Sequence, residues 1–508
     1  MSGLAPCLMI QGTASGVGKS LLVAALCRIF ARAGYRVAPF KSQNMALNAA
    51  VTLQGGEIGR AQAAQAAAAG IEPTMDMNPI LLKPETGHRS QVVVLGRAVR
   101  SASWPEYVHM HRDLLPLVAE SLSRLRRTFD LVVIEGAGSP AEINLRDSDI
   151  VNMRVARMAD APVLLVGDID RGGVFAALLG TLALLEPEDR ARVEGLIVNR
   201  FRGDETVLGA GLAELSARSC VRVLGVVPYL EAGLMPSEDS LDLVDSALWG
   251  APGVLDIAVI RLPLIANFDD FEPLAAEPGV GVRFVRTAGE LGRADLIVLP
   301  GTKGTVADLQ WLLGTGLADA IRGAAANGCP VLGICGGYQM LGEAVHDPDR
   351  VESDAPTTPA LGLLPVITTF ALGKTTVRVR ARATRAAGPF SGAAGGELTG
   401  YEIHAGRTSS GSPSPFAIVE RGGLSVNDVD GAVNATGTVL GTYLHGLFAN
   451  DALRRELLRS LAVRKGIVAD PRWGSPPPDR YERLADAVAR AVDVPAIAKL
   501  AGLAFPRA

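Results

Sequence analysis

Residues 12–20 (GTASGVGKS) combine glycines with a lysine and a hydroxyl group, a set suited to binding nucleotide phosphates. An apolar stretch precedes them and an apolar helical stretch follows, so the glycines can turn backbone N–H groups toward phosphate oxygens at a helix N-terminus. The residues that we expect to bind the nucleotide are Gly12, Thr13, Gly16, Gly18, Lys19 and Ser20. Lys19 would neutralise phosphate charge and Ser20 would ligate Mg²⁺. The alternative is an ordinary glycine turn, since Thr13 stands where the motif GxxxxGK[ST] has its first glycine.

An acid at the end of a second apolar run could complete this site. Residues 130–138 (DLVVIEGAG) place Glu135 at a strand end, where it would hold Mg²⁺ directly or through water. The alternative is a surface acid. Residues 168–173 (DIDRGG) end another apolar strand, and ligands of parallel sheets bind at the carboxyl ends of strands. We therefore expect these charges to face the same crevice. Which of them contacts the metal together with Glu135 is not decided by the sequence.

A cysteine lies in a tight turn within residues 330–342 (PVLGICGGYQMLG). The pattern GxCxG is the cysteine form of the nucleophile elbow, in which glycines allow a strained turn and a helix N-terminus stabilises the thiolate. We predict Cys335 as a nucleophile, with the Gly336 N–H as an oxyanion donor and a second donor at Gly301 in residues 300–304 (PGTKG). The alternative is a buried structural cysteine, which we expect for Cys7, Cys27, Cys220 and Cys329.

A thiol nucleophile needs a base, and the chain has six histidines. His445 follows an apolar strand-like run, which places it at a strand end where Cys335 should also lie. His404, in the segment GYEIH, is the competitor. We predict His445 as the base and leave His404 as the alternative.

Charge and composition limit the class of protein. The chain has 508 residues with a formal net charge of −4, which argues against a broad nucleic-acid-binding surface. Hydrophobic residues make up 48% and charged residues 20%, as in globular proteins, and no apolar run reaches membrane-spanning length. The five scattered cysteines form neither a disulfide framework nor a zinc motif. We expect a cytoplasmic protein without a signal peptide or a membrane partner.

Short apolar runs alternate with helical stretches, which is typical of parallel sheets covered on both faces. Strand-like runs of the first half are 6–11, 35–40, 131–135, 162–166, 195–199 and 221–228. Those of the second half are 256–262, 294–300, 330–335 and 439–443. A stretch rich in proline, glycine and acids, 231–252, indicates a boundary near residue 250. The predicted fold class is α/β, with two doubly wound, mainly parallel domains at 1–250 and 251–450 and a helical tail at 451–508.

The glycine-rich loop resembles that of the dethiobiotin synthetase-type ATP-binding fold. Joined to a Cys335/His445 glutaminase half, it resembles the cobyrinate amidotransferases. Further blocks resemble the cobyric acid synthase branch of this family: KSQNMALN at 41–48, MNPILLKP at 77–84, GAGSPAEINL at 136–145, DIDRGGVF at 168–175, NRFRGD at 199–204, GYEIHAGRT at 400–408 and GTYLHGLF at 441–448. The a,c-diamide synthase branch would carry Gly-Pro-Asp-Tyr where this chain has residues 42–45 (SQNM).

The resemblance implies a P-loop NTPase-like domain followed by a class I glutamine amidotransferase-like domain. It also implies amidation of the b, d, e and g carboxylates of a corrinoid, adenosylcobyrinic acid a,c-diamide, with glutamine as the nitrogen source and with ATP and Mg²⁺. In this chain Cys335 would be the glutaminase nucleophile and His445 its base. Lys41 would face the transferring phosphate and Asn199 would read adenine.

Two further expectations accompany the resemblance. From their position in the chain, the polar residues proposed to contact the corrinoid are Gln43, Asn44 and Asn48. Many glutaminases of this class have a glutamate two residues after the histidine, but this chain has Leu447. The group that orients His445 is therefore unassigned, and a homo-oligomer is possible.

Three other functions compete with this interpretation. A MinD- or ParA-like nucleotide switch would not need Cys335, but the chain has no obvious amphipathic membrane tail. Another amidoligase of the same architecture, such as a CTP synthase-like enzyme, usually has the glutamate that Leu447 replaces. A plain cysteine hydrolase would leave the phosphate loop unexplained.

Overall fold

The computed structural model describes residues 3–85, 87–230, 233–235, 248–249, 253–385, 388–476 and 478–505. The chain forms two compact units. Unit 1 comprises Met1–Ala46, Glu57–Pro236 and Pro478–Ala508, and unit 2 comprises Leu47–Gly56 and Ser237–Pro477. The predicted boundary near residue 250 lies outside the described residues. Among the described residues, none of the helices combines the length and apolar character that a membrane span requires.

Unit 1 is built on a parallel sheet whose strands are almost fully buried, as expected for aliphatic strands covered on both faces. In spatial order its described strands are Val223–Pro228, Val193–Phe201, Val163–Asp168, Cys7–Gly12, Leu131–Glu135 and Val37–Phe40. The α-helices of this unit are Lys19–Arg32, Arg60–Ala68, Trp104–Thr128, Met153–Ala159, Val174–Leu184, Pro187–Arg190, Gly209–Ser219, Arg480–Ala491 and Val494–Leu500. The central Cys7–Gly12 strand leads directly into the glycine-rich loop.

A smaller sheet in unit 1 lay outside the predicted alternation. It pairs Gln43–Met45, Ile80–Pro84, Arg89–Val94 and Arg97–Ser103 in that order. Further short elements of this unit are the strand Glu57–Gly59 and the 3₁₀ helices Met75–Met77, Ile143–Ser148 and Glu205–Leu208. The short Gln43–Met45 strand begins two residues after Lys41, so this sheet holds the chain on the C-terminal side of that lysine.

The C-terminal segment differs in placement from the predicted separate tail. Its first helix, Asp451–Lys465, belongs to unit 2, whereas the chain from Pro478 returns to unit 1. Leu484 and Val488 on the Arg480–Ala491 helix are buried in the same core as the Lys19–Arg32 helix. Arg32 forms ion pairs with two acids of that C-terminal helix, and Phe30 packs edge-on against Phe505. The last segment therefore supports the helix that follows the glycine-rich loop.

Unit 2 contains a second, mainly parallel sheet. Its described strands, in spatial order, are Leu248–Trp249, Val280–Val285, Leu255–Ile260, Leu296–Leu299, Val331–Ile334, Val439–Thr442 and Ala432–Val433, of which the two at the edges pair antiparallel. The helices are Glu272–Ala275, Ala288–Leu291, Thr305–Gly314, Leu317–Ala326, Gly336–Leu341 and Asp451–Lys465. The 3₁₀ helices are Phe268–Phe271, Gly388–Ala393 and Leu447–Ala449. The two parallel sheets confirm the predicted α/β fold class.

A largely antiparallel sheet completes unit 2 and was not anticipated. It joins Thr357–Pro359, Ala344–His346, Val366–Ala383, Phe416–Arg421 and Leu424–Asp430, with Glu397–Ser410 paired to the long Val366–Ala383 strand. The strand Ala49–Val51 also belongs to this unit. The Glu397–Ser410 strand carries the GYEIH segment alongside the end of the Val439–Thr442 strand, where His445 N–H donates to the Tyr401 carbonyl.

Candidate active sites

The glycine-rich loop in unit 1 joins the Cys7–Gly12 strand to the Lys19–Arg32 helix. Lys19 is buried, and its Nζ donates to the Ala14 carbonyl at 2.8 Å and to the Gly138 carbonyl at 3.0 Å. The loop therefore folds around its own lysine. The Thr13 N–H donates to the Val166 carbonyl at 2.9 Å, so this predicted phosphate donor is engaged by the neighbouring strand.

Glu135 is the centre of a buried polar cluster, with a relative exposure of 1%. Its Oε1 accepts hydrogen bonds from Lys41 Nζ at 2.8 Å and from Ser20 Oγ at 2.9 Å. Its Oε2 accepts from Gln65 Nε2. Three of the predicted residues thus come together at the carboxyl ends of neighbouring strands, where a parallel sheet places its ligands.

Gln65 was missed, although the sequence carried a signal for it. The Arg60–Ala68 helix (RAQAAQAAA) is alanine-rich, and its glutamines Gln62 and Gln65 are three residues apart, hence on one face. Both glutamine side chains are buried. Paired buried amides on an alanine-rich helix require polar partners, and here Gln65 donates to Glu135 and to the Ser20 carbonyl.

Asn199, at the end of a neighbouring strand, packs against the glycine-rich loop. Its Nδ2 donates to the Val17 carbonyl at 2.7 Å. Gly18 has φ +97°, and a Cβ built there would lie 2.1 Å from the same amide nitrogen. Only glycine fits this position, because both the backbone conformation and the close approach exclude a side chain.

The second candidate acid, Asp168, is already paired within unit 1. Arg200 Nη1 donates to its Oδ2 at 3.0 Å, and the Asp170 N–H donates to its Oδ1 at 2.9 Å. Asp170 in turn pairs with Arg202. In the described residues both aspartates therefore belong to an Asp–Arg network and not to the Glu135 cluster.

The donor set of the Glu135 cluster fits Mg²⁺. Mg²⁺ prefers oxygen ligands and commonly keeps waters and substrate phosphates alongside one or two protein groups. Ser20 Oγ and Glu135 Oε1 are two such oxygens, 2.9 Å apart. Among the described residues, there is no group of three or more His, Cys, Asp or Glu side chains that could hold a metal ion.

Each of the three residues predicted to contact the corrinoid has a hydrogen-bond partner within its own unit. Gln43 accepts a hydrogen bond from Tyr107 Oη. Asn44 is buried in unit 1 and donates to Gln62 Oε1 at 3.1 Å. Asn48 belongs to unit 2, is fully buried, and accepts from the Asn267 N–H at 2.7 Å. Each amide has a protein partner, so a corrinoid contact stays a prediction for all three.

In unit 2, Cys335 stands between the Val331–Ile334 strand and the Gly336–Leu341 helix. Its φ of +52° is unusual for a residue with a side chain and is the strained turn that the elbow motif predicts. A Cβ on Gly337 would lie 2.0 Å from the Leu299 carbonyl oxygen, so the tight turn needs glycine there. The Cys335 thiol donates to the Ile403 carbonyl at 3.3 Å.

His445 lies beside Cys335 and is held by an acid. Its Nδ1 is 2.6 Å from Asp270 Oδ2, and the Gly446 N–H donates to Asp270 Oδ1 at 2.8 Å. Cys335 lies close enough to His445 to contribute to raising the pKa of its imidazole. Burial alone would lower the pKa of His445, but the Asp270 carboxylate and, to a smaller extent, Cys335 together outweigh burial, so this pKa is raised above its usual value.

Asp270 supplies the group that the sequence left unassigned. It lies in the 3₁₀ helix Phe268–Phe271, 175 residues before His445 in the chain. Leu447, at the position of the usual glutamate, is buried in the apolar core of unit 2. An acid is thus present next to His445, contributed by a different element. The segment NFDDF, which follows a core strand, could have indicated Asp270 as a candidate acid. Nothing in the sequence indicates that its partner is His445.

His404, the competing base, occupies a different position. Its ring stacks on Tyr443, with ring centroids 3.8 Å apart, and its Nδ1 lies 2.8 Å from the Gly406 carbonyl oxygen. Its Nε2 is 3.9 Å from Glu402, which is held by Arg421. These contacts anchor His404 beside the cysteine without placing it between the cysteine and an orienting acid.

The two predicted oxyanion donors lie close to this pair. A Cβ on Gly301 would lie 2.9 Å from His445 Cε1, and a Cβ on Gly336 would lie 2.6 Å from Thr302 Cγ2. The loop after the Leu296–Leu299 strand therefore reaches both the base and the start of the Cys335 helix. Asp308 accepts the Leu264 N–H beside this loop, and burial raises its pKa to about 6.

Comparison with known proteins agrees with both halves of the chain. Residues 8–239 match the CobQ/CobB/MinD/ParA nucleotide binding domain, and residues 256–453 match the CobB/CobQ-like glutamine amidotransferase domain. Cobyric acid synthase of Sorangium cellulosum is 56% identical over 517 residues, covering 98% of both chains. Those of Dehalococcoides mccartyi and Moorella thermoacetica are each 50% identical, covering 97% and 99% of this chain and 98% of their own. A nucleotide switch is not favoured, and the chain belongs to the cobyric acid synthase family of glutamine-dependent amidoligases.

Proposed function

We propose that this chain amidates the b, d, e and g carboxylates of adenosylcobyrinic acid a,c-diamide, taking nitrogen from glutamine and energy from ATP. The observation that carries the proposal is His445, which Asp270 holds by a 2.6 Å contact and whose pKa Cys335 also influences, in a chain that contains a phosphate loop. The glutaminase residues do not account for the phosphate loop, and the phosphate loop does not account for the glutaminase residues. Together they fit an enzyme that releases ammonia in one half and activates a carboxylate in the other.

In the glutaminase half, Cys335 is the nucleophile. Its sulfur attacks the side-chain amide carbon of glutamine, and the Gly336 and Gly301 N–H groups stabilise the oxyanion. His445 takes the proton of the Cys335 thiol and passes it to the leaving nitrogen, so the C–N bond breaks, ammonia departs and a thioester remains. Water then attacks the thioester, releasing glutamate and restoring the thiol. Asp270 keeps the His445 ring oriented and stabilises its protonated form.

In the synthetase half, the corrinoid carboxylate is activated as an acyl donor toward ammonia. One carboxylate oxygen attacks the terminal phosphorus of ATP, the bond to ADP breaks, and an acyl phosphate forms. Ammonia attacks the acyl carbon, the C–O bond breaks, and inorganic phosphate leaves with the new amide behind. Lys19 and Lys41 supply positive charge for the moving phosphoryl group, and we expect Asn199 to contact the adenine.

Ser20 and Glu135 are the residues that would hold Mg²⁺, which when bound would screen charge on the phosphate oxygens. Lys41 and Gln65 keep the Glu135 carboxylate oriented before nucleotide arrives. Since Lys41 and Ser20 share the same carboxylate oxygen, nucleotide binding should redistribute these contacts. Lys41 is thereby available to the transferring phosphate.

The test is mass spectrometry of adenosylcobyrinic acid a,c-diamide after incubation with the protein, Mg-ATP and either glutamine or ammonium chloride. We expect conversion of four carboxylates to amides with both nitrogen sources. A Cys335→Ala variant should lose the glutamine-dependent reaction and keep the ammonium-dependent one at alkaline pH. Absence of any mass change, with glutamine still hydrolysed, would show that the chain uses a different acceptor.

A further inference from the structure

A short excursion of the chain contributes a buried amide to unit 2. Residues Leu47–Gly56 belong to this unit, although the residues on both sides of them belong to unit 1. Within the excursion, Asn48 is fully buried. Its Oδ1 accepts the Asn267 N–H at 2.7 Å, and Asn267 Oδ1 accepts the Ala49 N–H at 3.0 Å. The two asparagines thus form a reciprocal pair of hydrogen bonds, here called the clasp. The Asn48 side chain accepts the Asn267 backbone N–H, and the Asn267 side chain accepts the backbone N–H of Ala49, next to Asn48.

The clasp holds a turn of unusual conformation. Asn267 has φ +54° and ψ +38°, the left-handed region that asparagine tolerates better than most residues. Asn267 is only 5% exposed, so its side-chain amide is shielded from water. A buried left-handed turn with both of its amide partners in place is a rigid element.

This turn lies between the two parts of the glutaminase centre. On one side of it, the Ala266 N–H donates to the Gly301 carbonyl at 2.9 Å. On the other side, the Asp270 N–H donates to the Asn267 carbonyl at 3.1 Å, and Asp270 holds His445. A continuous series of hydrogen bonds therefore runs from Asn48 through Asn267 and Asp270 to the catalytic base.

We propose that Asn48 and Asn267 are positioning residues of the glutaminase reaction, which set the orientation of Asp270 and His445 through the clasped turn. The proposal rests on the proposed function and gives Asn48 a role other than contact with the corrinoid. The same stretch of chain carries Lys41 seven residues earlier, on Glu135 of unit 1. Residues 41–48 therefore belong to both half-reactions.

The experiment compares wild type with Asn48→Ala and Asn267→Gly. Glycine at 267 keeps the left-handed backbone but removes the acceptor of the Ala49 N–H. For each variant, kcat and KM are measured for glutamine hydrolysis, and corrinoid amidation is measured with ammonium in place of glutamine. We expect kcat for glutamine to fall about tenfold or more, because a displaced base no longer meets the substrate in the reactive geometry. KM for glutamine and the ammonium-dependent rate should stay near their wild-type values.

The matched control is Thr52→Ala. Thr52 lies in the same excursion and is equally buried, but its Oγ1 accepts the Gly56 N–H at 3.1 Å and does not bond to the Asn267 turn. It should leave kcat for glutamine unchanged. The double variant Asn48→Ala/Asn267→Gly should lose no more activity than the stronger single variant, since both remove one clasp.

Two outcomes would overturn the proposal. One is an unchanged glutamine kcat in folded Asn48→Ala or, where that variant does not fold, in Asn267→Gly. The other is a fall in the ammonium-dependent rate with a raised KM for the corrinoid, which would make Asn48 a substrate contact. A wild-type enzyme that hydrolyses glutamine but amidates nothing would contradict the proposed function instead, and the glutamine kcat of the variants would still test the clasp.

Discussion

Replacement of Asp270 by asparagine tests the structure of the glutaminase centre most directly. The Asp270–His445 contact is 2.6 Å long, and the two side chains are 3% and 1% exposed. A hydrogen bond to a charged group contributes about 1.5–3 kcal/mol. At about 1.4 kcal/mol per factor of ten in rate, its loss alone corresponds to roughly 10- to 150-fold. An asparagine that turns its N–H toward Nδ1 also favours the wrong ring tautomer, which costs about 10⁴-fold in serine protease triads.

We therefore expect Asp270→Asn to lower kcat/KM for glutamine by about 10²–10⁴-fold, and to leave ammonium-dependent amidation close to wild type. The pH profile gives an independent readout. The carboxylate favours the protonated imidazole and burial opposes it, so removal of the carboxylate lowers the pKa of His445. The alkaline limb of the kcat/KM profile should then move to lower pH.

Asp269→Asn is the matched control, because it removes one negative charge from the adjacent residue of the same 3₁₀ helix. The assay is steady-state glutamate release between pH 6 and 10, with circular dichroism as a check of folding. A folded Asp270→Asn enzyme that hydrolyses glutamine as fast as Asp269→Asn would refute the assignment of Asp270 as the group that orients His445.

Four further substitutions test the remaining geometry. Gly18→Ala should abolish ATP binding in isothermal titration calorimetry, because its Cβ would lie 2.1 Å from the Asn199 amide nitrogen. Lys41→Met breaks a buried ion pair, so we expect the free energy of unfolding in urea to fall by about 3–5 kcal/mol and amidation to be lost with both nitrogen sources. His445→Gln should lose glutamine hydrolysis by about a thousandfold or more, and His404→Gln should remain far more active than His445→Gln in the same assay.

The parts of the sites that the sequence predicted are local. A strand, a tight turn and a helix fit within residues 330–342, so the position of Cys335 and its strained turn follow from neighbours in the chain. The glycine-rich loop is equally local. His445 was favoured over His404 because strand ends gather at one edge of a parallel sheet, and the structure does place His445 beside Cys335.

Contacts between distant segments could not be predicted, because the sequence patterns describe only residues that are near one another in the chain. Asp270 and His445 are 175 residues apart, and no spacing rule connects a 3₁₀ helix to a strand end across that distance. The helices after residue 478 appear amphipathic in the sequence, but which core buries their apolar face depends on the assembled sheet. The long antiparallel pair Val366–Ala383 and Glu397–Ser410 was hidden because its strands are half-exposed and polar.

Asn48 shows why the chemistry of a side chain does not by itself give its role. In the sequence it is one polar residue in a run near Lys41, and a substrate contact is a natural interpretation. In the structure it is fully buried, and its oxygen accepts a backbone N–H of the turn that carries Asp270. A buried amide whose acceptor is already used gains little by contacting a bulky corrinoid, whereas its loss would leave the Asn267 N–H unpaired inside the protein. The energetics therefore favour a role in holding the glutaminase base, and residues 41–48 place a synthetase lysine and a glutaminase positioning residue within eight consecutive positions.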